Sequence, residues 1–137
     1  MEMTDIIKLS NANIMAICEV IKASIESCEN LDNAILVNEK INELITIQPT
    51  ATEAQASAKF NLLLAINDEL DRQAKLLKDD KIPPSIKKMR ADSKCAEQHY
   101  ICELINGLNS DLTHAIDVMR SKLSYYKQDL MNINYGN

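Results

Sequence analysis

The chain has very few of the residues that form turns or interrupt helices: two glycines and three prolines among 137 residues. Glycine supplies unusual backbone conformations and proline removes a backbone donor, so both are frequent where chains reverse direction. A sheet protein of this length needs many reversals, and their scarcity favours a few long helices. Tryptophan is absent and phenylalanine occurs once, so the core must be built mainly from aliphatic residues and methionine.

The chain also lacks the basic excess of nucleic-acid-binding domains, because 20 Asp and Glu outnumber 15 Lys and Arg for a net charge of -5. The charge is uneven: residues 72–94 hold eight basic and three acidic side chains and sum to +5, which leaves -10 for the remainder. Such a region is typical of a solvated hairpin tip, and it can also orient an approaching partner. Nucleic acid is not an expected partner, because the acidic remainder would repel its backbone.

No long hydrophobic run is present. The run Leu62 to Ile66, which no other apolar run exceeds in length, is far too short to span a membrane. The first residues include Glu2 and Asp5 and show no uninterrupted apolar stretch, so no secretory signal is expected. The four cysteines lie within helical patterns, and we therefore expect a cytoplasmic protein with reduced thiols.

Two proline-containing breaks divide the helical pattern. Pro49 cannot continue the preceding helix without losing a hydrogen bond, and Thr50 stands three residues before Glu53, the spacing of a capping box. Pro83 and Pro84 each disfavour helix for the residue before them, and Pro84 is suited to open the next helix. The sequence therefore predicts helices over residues 4–47, 51–80 and 84–132, with a loose tail over 134–137.

Apolar residues recur with helical spacing in each segment. A seven-residue repeat occupies the first segment and a seam spaced by three and four residues occupies the third: Ile7, Ile14, Ile21, Cys28 and Ile35 in the first, and Ile101, Ile105, Leu108, Leu112, Ile116, Met119, Leu123, Tyr126, Leu130 and Ile133 in the third. We expect one domain over residues 1–137, an all-α, elongated, antiparallel three-helix bundle with coiled-coil-like packing. It would have four helices if the stretch Glu26 to Asn30 breaks the first. Gly107, inside the third helix, would mark a bend or a close helix approach.

Patterns of catalytic and metal-binding residues are mostly missing. There is no glycine-rich phosphate loop and no nucleophile elbow. Cys95, His99 and Cys102 are spaced at i, i+4 and i+7, so they share a helical face and could supply three zinc ligands. The tight CxxC or HxxxH pairs of zinc sites are absent, however, and cysteine is a common small core residue. We expect core packing there, no metal or other cofactor, and no enzymatic activity.

The three predicted helices differ in length, at roughly 65, 45 and 70 Å for a rise of 1.5 Å per residue. A middle helix shorter than its neighbours would let the outer two protrude together at one end. The exposed seam between them would be an apolar patch, and such patches on monomers usually mark a binding surface. The sequence therefore predicts a protein-binding role.

Three features make the chain similar to the FlgN-type flagellar type III export chaperones. The length and helical layout are alike, Asn38 to Leu44 resembles the family's Glu-Lys motif late in the first helix, and Asn106 to Asn109 resembles part of its Asn-rich last helix. The ending Ile133 to Asn137 resembles the family's terminal Leu-Tyr-Gly, although Asn134 stands where Leu would precede the tyrosine. The resemblance implies a cytoplasmic chaperone that holds an amphipathic helix of a hook–filament junction protein until export.

The resemblance also implies where the substrate binds. The apolar seam of the last helix would receive the substrate helix, and Tyr135 would contact the export apparatus. The candidate partner-binding residues are Leu112, Ile116, Met119, Leu123, Tyr126, Leu130 and Tyr135. The alternative for this seam is ordinary core packing. Two other functions stay open: a self-associating coiled-coil protein of a phage or secretion apparatus, which would form a homo-oligomer, and a small acidic inhibitor of another protein.

Overall fold

The computed structural model describes residues 9–76 and 82–135, with side chains up to Asp129. In this part of the chain there are four helices and no strands: α1 (Asn11–Glu26), α2 (Ala34–Leu76), α3 (Pro84–Lys94) and α4 (Ala96–Tyr135). α2 packs against α4 in an antiparallel, bundle-like arrangement, and α1 contacts both. The predicted all-α antiparallel bundle is therefore confirmed. Residues 4–8 and 77–80 of the predicted helices lie outside the described residues.

The first predicted helix is divided in two. α1 ends at Glu26, and Asn30 in the following link has a φ of 65°, in the left-handed region that asparagine tolerates better than most residues. The Asn33 side chain then accepts a hydrogen bond from the Leu36 N–H at 2.9 Å and caps the start of α2. A single helix over 4–47 is therefore wrong, and the alternative break after Glu26 is confirmed.

The predicted break at Pro49 does not occur, because α2 continues through this residue as one helix of 43 residues. A proline in a helix interior costs about 3 kcal/mol. Leu44 and Ala51, on either side of Pro49, are both fully buried and belong to one stripe that faces the core. Burial of this continuous stripe outweighs the local cost, and residues 51–76 of the predicted helix over 51–80 are the second part of α2.

The second proline break is confirmed, since Pro83 is the N-cap and Pro84 the first residue of α3. The predicted helix over 84–132 is nevertheless interrupted at Cys95, which separates α3 from α4. The Ser93 hydroxyl donates to the Met89 carbonyl at 3.0 Å, and such a bond to the preceding turn bends a helix. α3 packs on the last part of α2, and α4 packs along the rest of it.

The core lies where α1, α2 and α4 meet. Its largest fully buried side chains include Ile21 of α1, Leu44 of α2, and Ile105 and Leu112 of α4. Gly107 is not part of this packing, because a Cβ added there would meet no atom within 4 Å. The close helix approach expected at Gly107 is therefore wrong.

α1 covers only part of α2. At one end the Leu9 N–H donates to the Ser57 hydroxyl at 3.2 Å, and Asn61 donates to the Leu9 carbonyl at 3.0 Å. At the other end Lys40 donates to a carbonyl in the last turn of α1 at 3.4 Å. Beyond Asn61, α2 continues to Leu76 beside α3 and the start of α4. The helices are unequal, as predicted, but the middle rod α2 is long, with 43 residues, and the short helices are α3, with 11 residues, and α1, with 16.

Candidate functional site

The structure places the middle of the predicted partner-binding seam inside the bundle. Leu112, Ile116 and Met119 are at most 4% exposed and belong to the core formed with α1 and α2. Side chains that their own chain covers cannot receive a partner helix in the folded bundle. The predicted binding role is therefore wrong for these three residues, because an apolar stripe shows that a helix face is buried but not what covers it.

Two further seam residues are half-buried and also support the bundle. Leu123 and Tyr126 pack against the core, and the Tyr126 hydroxyl donates to the Leu31 carbonyl at 3.2 Å. This bond ties α4 to the link between α1 and α2. α4 extends to Tyr135, so the expected loose tail is helical at residues 134 and 135. The side chains of Leu130 and Tyr135 lie outside the described part of the chain, and their roles stay predictions.

Three depressions lie in a row along the junction of α2 with α3 and α4, and we call this row the furrow. Its wall on α2 recurs every three or four residues and so follows one helix face: Ile45, Pro49, Thr52, Ala56, Lys59, Leu63, Ile66 and Leu70. The facing wall runs in the reverse direction along α4 and α3: Thr113, Asn109, Asn106, Cys102, His99, Lys88 and Pro84. Ser57 and Asn61, which bond to Leu9, lie on a different face of α2, so α1 does not fill the furrow.

The furrow has three sections, with volumes of about 790, 490 and 620 Å³. The proximal section lies beside Pro49, the middle section beside Ala56 and the distal section beside Leu63. Residues 45–70 of α2 span roughly 38 Å at 1.5 Å per residue, the length of a helix of about 25 residues. Thr52 and Ala56, shared by the first two sections, are small, so a helix can come close there.

Side-chain amides join the two walls in the middle section. Gln55 donates to the Asn106 side-chain oxygen at 2.7 Å, and Asn109 donates to the Gln55 side-chain oxygen. Both asparagines belong to the stretch that resembles the Asn-rich helix of the export chaperones. In this chain they satisfy Gln55 across the helix pair and fix the register of α2 against α4.

The distal section combines an apolar floor with basic side chains. It is lined by residues of α2, α3 and α4: Leu63, Ile66, Asn67, Leu70, Pro84, Lys87, Lys88, Asp92 and His99. Leu63 is 53% exposed, and Leu64 beside it is about half exposed. Lys87 and Lys88 form no ion pair with any acidic side chain in the described ranges 9–76 and 82–129. The section therefore offers apolar surface and two unpaired ammonium groups.

The side chains buried near the distal section are small or polar. The residues of α2 and α3 buried there include Gln73 and Ala91, with Cys95 buried at the joint to α4. The Gln73 amide donates to Glu69 at 3.4 Å, while its oxygen has no hydrogen-bond partner. Hydrogen bonds from Arg72 lower the pKa of the Glu69 carboxyl. Few large side chains are buried at this end, so the neighbouring leucines stay exposed.

The furrow is not visible in the sequence pattern, because its middle is lined by small and polar side chains without an apolar stripe. One signal could have located its distal section. Five consecutive apolar residues, Leu62 to Ile66, cover every side of a helix, so at least one of them must point away from the core. Together with the basic residues of α3, this run indicates an exposed apolar surface beside positive charge.

The candidate metal ligands do not form a site. Cys95 is buried, Cys102 lines the middle section, and the His99 Nε2 lies 3.5 Å from the Asp92 Oδ1. Among the described residues, no group of three or more His, Cys, Asp or Glu side chains could hold a metal ion. Burial raises the pKa of both the Cys95 and the Cys102 thiols, which makes them poor nucleophiles at neutral pH.

Comparison of the chain with protein-family models, with curated proteins and with solved structures finds no match. None of the described helices is long and apolar enough to cross a membrane. The resemblance to FlgN-type chaperones therefore rests on sequence features alone, and a function has to be argued from the furrow.

Proposed function

We propose that the protein is a cytoplasmic chaperone that holds an amphipathic helix of an export substrate, and that this helix lies in the furrow. The observation that carries the proposal is a row of three depressions, together as long as a helix, between α2 and the α3–α4 pair that α1 leaves open. A helix bound there would add a fourth rod to α1, α2 and α4, an arrangement common among helical bundles. Recognition of this kind buries the apolar face of the bound helix in a groove.

An exposed leucine of the distal section supports the proposal. Leu63 lines this section and is 53% exposed. Fully burying a leucine side chain stabilises a complex by about 1.5–3 kcal/mol, so covering part of this surface would contribute substantially to affinity. The resemblance to export chaperones supports the substrate class.

An aggregation assay tests this proposal. A synthetic amphipathic helical peptide that aggregates alone is mixed with the full chain, and light scattering follows its aggregation. We expect suppression near equimolar chain, and we expect Leu63→Glu to raise the concentration needed by about tenfold or more. Val20→Glu is the matched control, because Val20 of α1 is 54% exposed, like Leu63, but does not line the furrow. Val20→Glu should therefore suppress aggregation as the unmodified chain does.

Two outcomes would contradict the proposal. Equal effects of Leu63→Glu and Val20→Glu would show that the furrow does not hold the peptide. A stable homo-oligomer that Leu63→Glu dissociates would instead favour the self-associating coiled-coil protein. Multi-angle light scattering of the chain, alone and with peptide, separates these cases, and we expect a monomer that forms a one-to-one complex.

A further inference from the structure

We infer that the helix bound in the furrow carries acidic side chains at one end, and that this end lies over α3. The inference rests on the proposed function and adds the chemistry of the partner to it. The ligand class is an acidic amphipathic helix with an apolar face toward α2 and carboxylates toward the lysines of α3.

The charge of α3 is strongly positive. This helix contains Lys87, Lys88, Arg90 and Lys94, with Asp92 as its only acid. Asp92 lies 3.5 Å from His99, whereas Lys87 and Lys88 line the distal section and pair with no acid in the described part of the chain. Two unpaired ammonium groups beside apolar floor residues are complementary to carboxylates that flank a leucine stripe.

The two ends of the furrow differ in charge. Glu53 is the one charged residue that lines the proximal section, at the opposite end from α3, and Lys59 is the one charged residue that lines the middle section. These two charges cancel, so only the distal section has a net positive lining, and carboxylates placed over the proximal section would be repelled by Glu53. A helix with acids at one end only would fit this field, and the field would select one of its two orientations.

A phosphate backbone fits the distal section less well than a helix does. Its floor is formed by Leu63, Ile66 and Leu70, which offer nothing to a phosphate. The acidic remainder of the chain would repel a long polyanion, whereas a peptide can confine its carboxylates to one end. The observations therefore favour a peptide helix.

Two synthetic peptides test the inference. Each has about 20 residues and the same leucine stripe, and one carries glutamates where the other carries lysines, at one end only. Fluorescence anisotropy measures their binding to the full chain at low and high salt. We expect the glutamate peptide to bind about tenfold more tightly at low salt, with a smaller difference at high salt. The double variant Lys87→Glu, Lys88→Glu should reverse the preference.

The matched control is the double variant Lys22→Glu, Lys127→Glu, which changes the net charge equally but does not alter the furrow. Lys22 makes only an exposed contact with Glu19, at 3.7 Å. This control should keep the preference for the glutamate peptide. If it loses the preference as fully as the Lys87 and Lys88 variant does, net charge and not the distal section selects the peptide, and the inference is overturned.

The remaining outcomes separate the inference from the proposed function. Equal affinity for both peptides would overturn the acidic-end inference and leave the proposed binding of a helix intact, whereas no binding of either peptide would overturn both.

Cys102 lines the middle section, so mass spectrometry of its alkylation reports the position of the peptide. Bound glutamate peptide should slow this alkylation, and an unchanged rate would show that the peptide lies elsewhere and would overturn the inference.

Discussion

At the scale of single residues, Leu112 and Leu63 have opposite roles although both are leucines on helical stripes. Leu112 is fully buried, and Leu112→Ala should lower the free energy of unfolding by about 2–5 kcal/mol, because it removes apolar contacts and leaves a cavity. Leu63 is 53% exposed, and Leu63→Ala should cost less than about 1 kcal/mol. Urea denaturation measures both values. Equal losses would contradict the assignment of Leu112 to the core and Leu63 to the furrow.

Gly107 gives a second prediction at this scale. It lies inside α4, and an added methyl group would meet no atom within 4 Å. Gly107→Ala should therefore raise the free energy of unfolding by about 1 kcal/mol, because alanine loses less conformational entropy in a helix. Thermal denaturation provides the measurement. A lower melting temperature would show that the helix depends on glycine at this position.

The sequence predicted core residues better than it predicted exposed ones. Ile14 and Ile21 of the seven-residue repeat are buried, but Ile35 of the same repeat is largely exposed. The link after Glu26 changes the direction of the chain, so α2 starts in a new phase and its buried stripe begins at Val37. A repeat predicts burial only as far as the helix that carries it continues.

At the scale of helices, the two predicted helix breaks at proline residues had different outcomes. Pro83 and Pro84 start the helix α3, whereas Pro49 lies inside α2. The difference is long-range packing, since residues on both sides of Pro49 face the same core and one continuous helix buries them all. The sequence around a proline predicts how much it destabilises a helix. The burial that outweighs this cost depends on the apolar surfaces of other helices.

Pro49→Ala tests this explanation. The variant restores a backbone donor inside α2, so it should raise the free energy of unfolding by up to about 3 kcal/mol. Urea denaturation with helix content followed by circular dichroism is the measurement. A loss of stability would contradict the account, because it would mean that the bundle depends on a bend at Pro49.

At the scale of the whole molecule, unequal helix lengths were predictable but the position of the open surface was not. The sequence predicted a short middle helix and an exposed seam on the last helix. In the structure the middle rod α2 is long, α1 and α2 cover the middle of the α4 seam, and the furrow on another face of α2 is open. Which helices pair depends on which apolar stripes meet in the folded chain. The apolar stripe of one helix does not show which other stripe will cover it.

The uneven charge distribution can also be interpreted only at the scale of the whole molecule. The basic run 72–94 reads in the sequence as a solvated tip. In the structure, Lys87 and Lys88 of that run stand at one end of a groove whose other end carries Glu53. Because these lysines lie at one end of the furrow, their positive charge can orient a bound helix.

The most direct test of the central claim, that the furrow holds a partner helix, is a nuclear magnetic resonance titration of the isotope-labelled chain with the glutamate-bearing peptide. We expect the largest amide shift changes along residues of the furrow, such as Ala56, Leu63 and Cys102, with little change at Val20 on the outer face of α1. Shift changes centred on α1, or spread evenly over the bundle, would contradict the account.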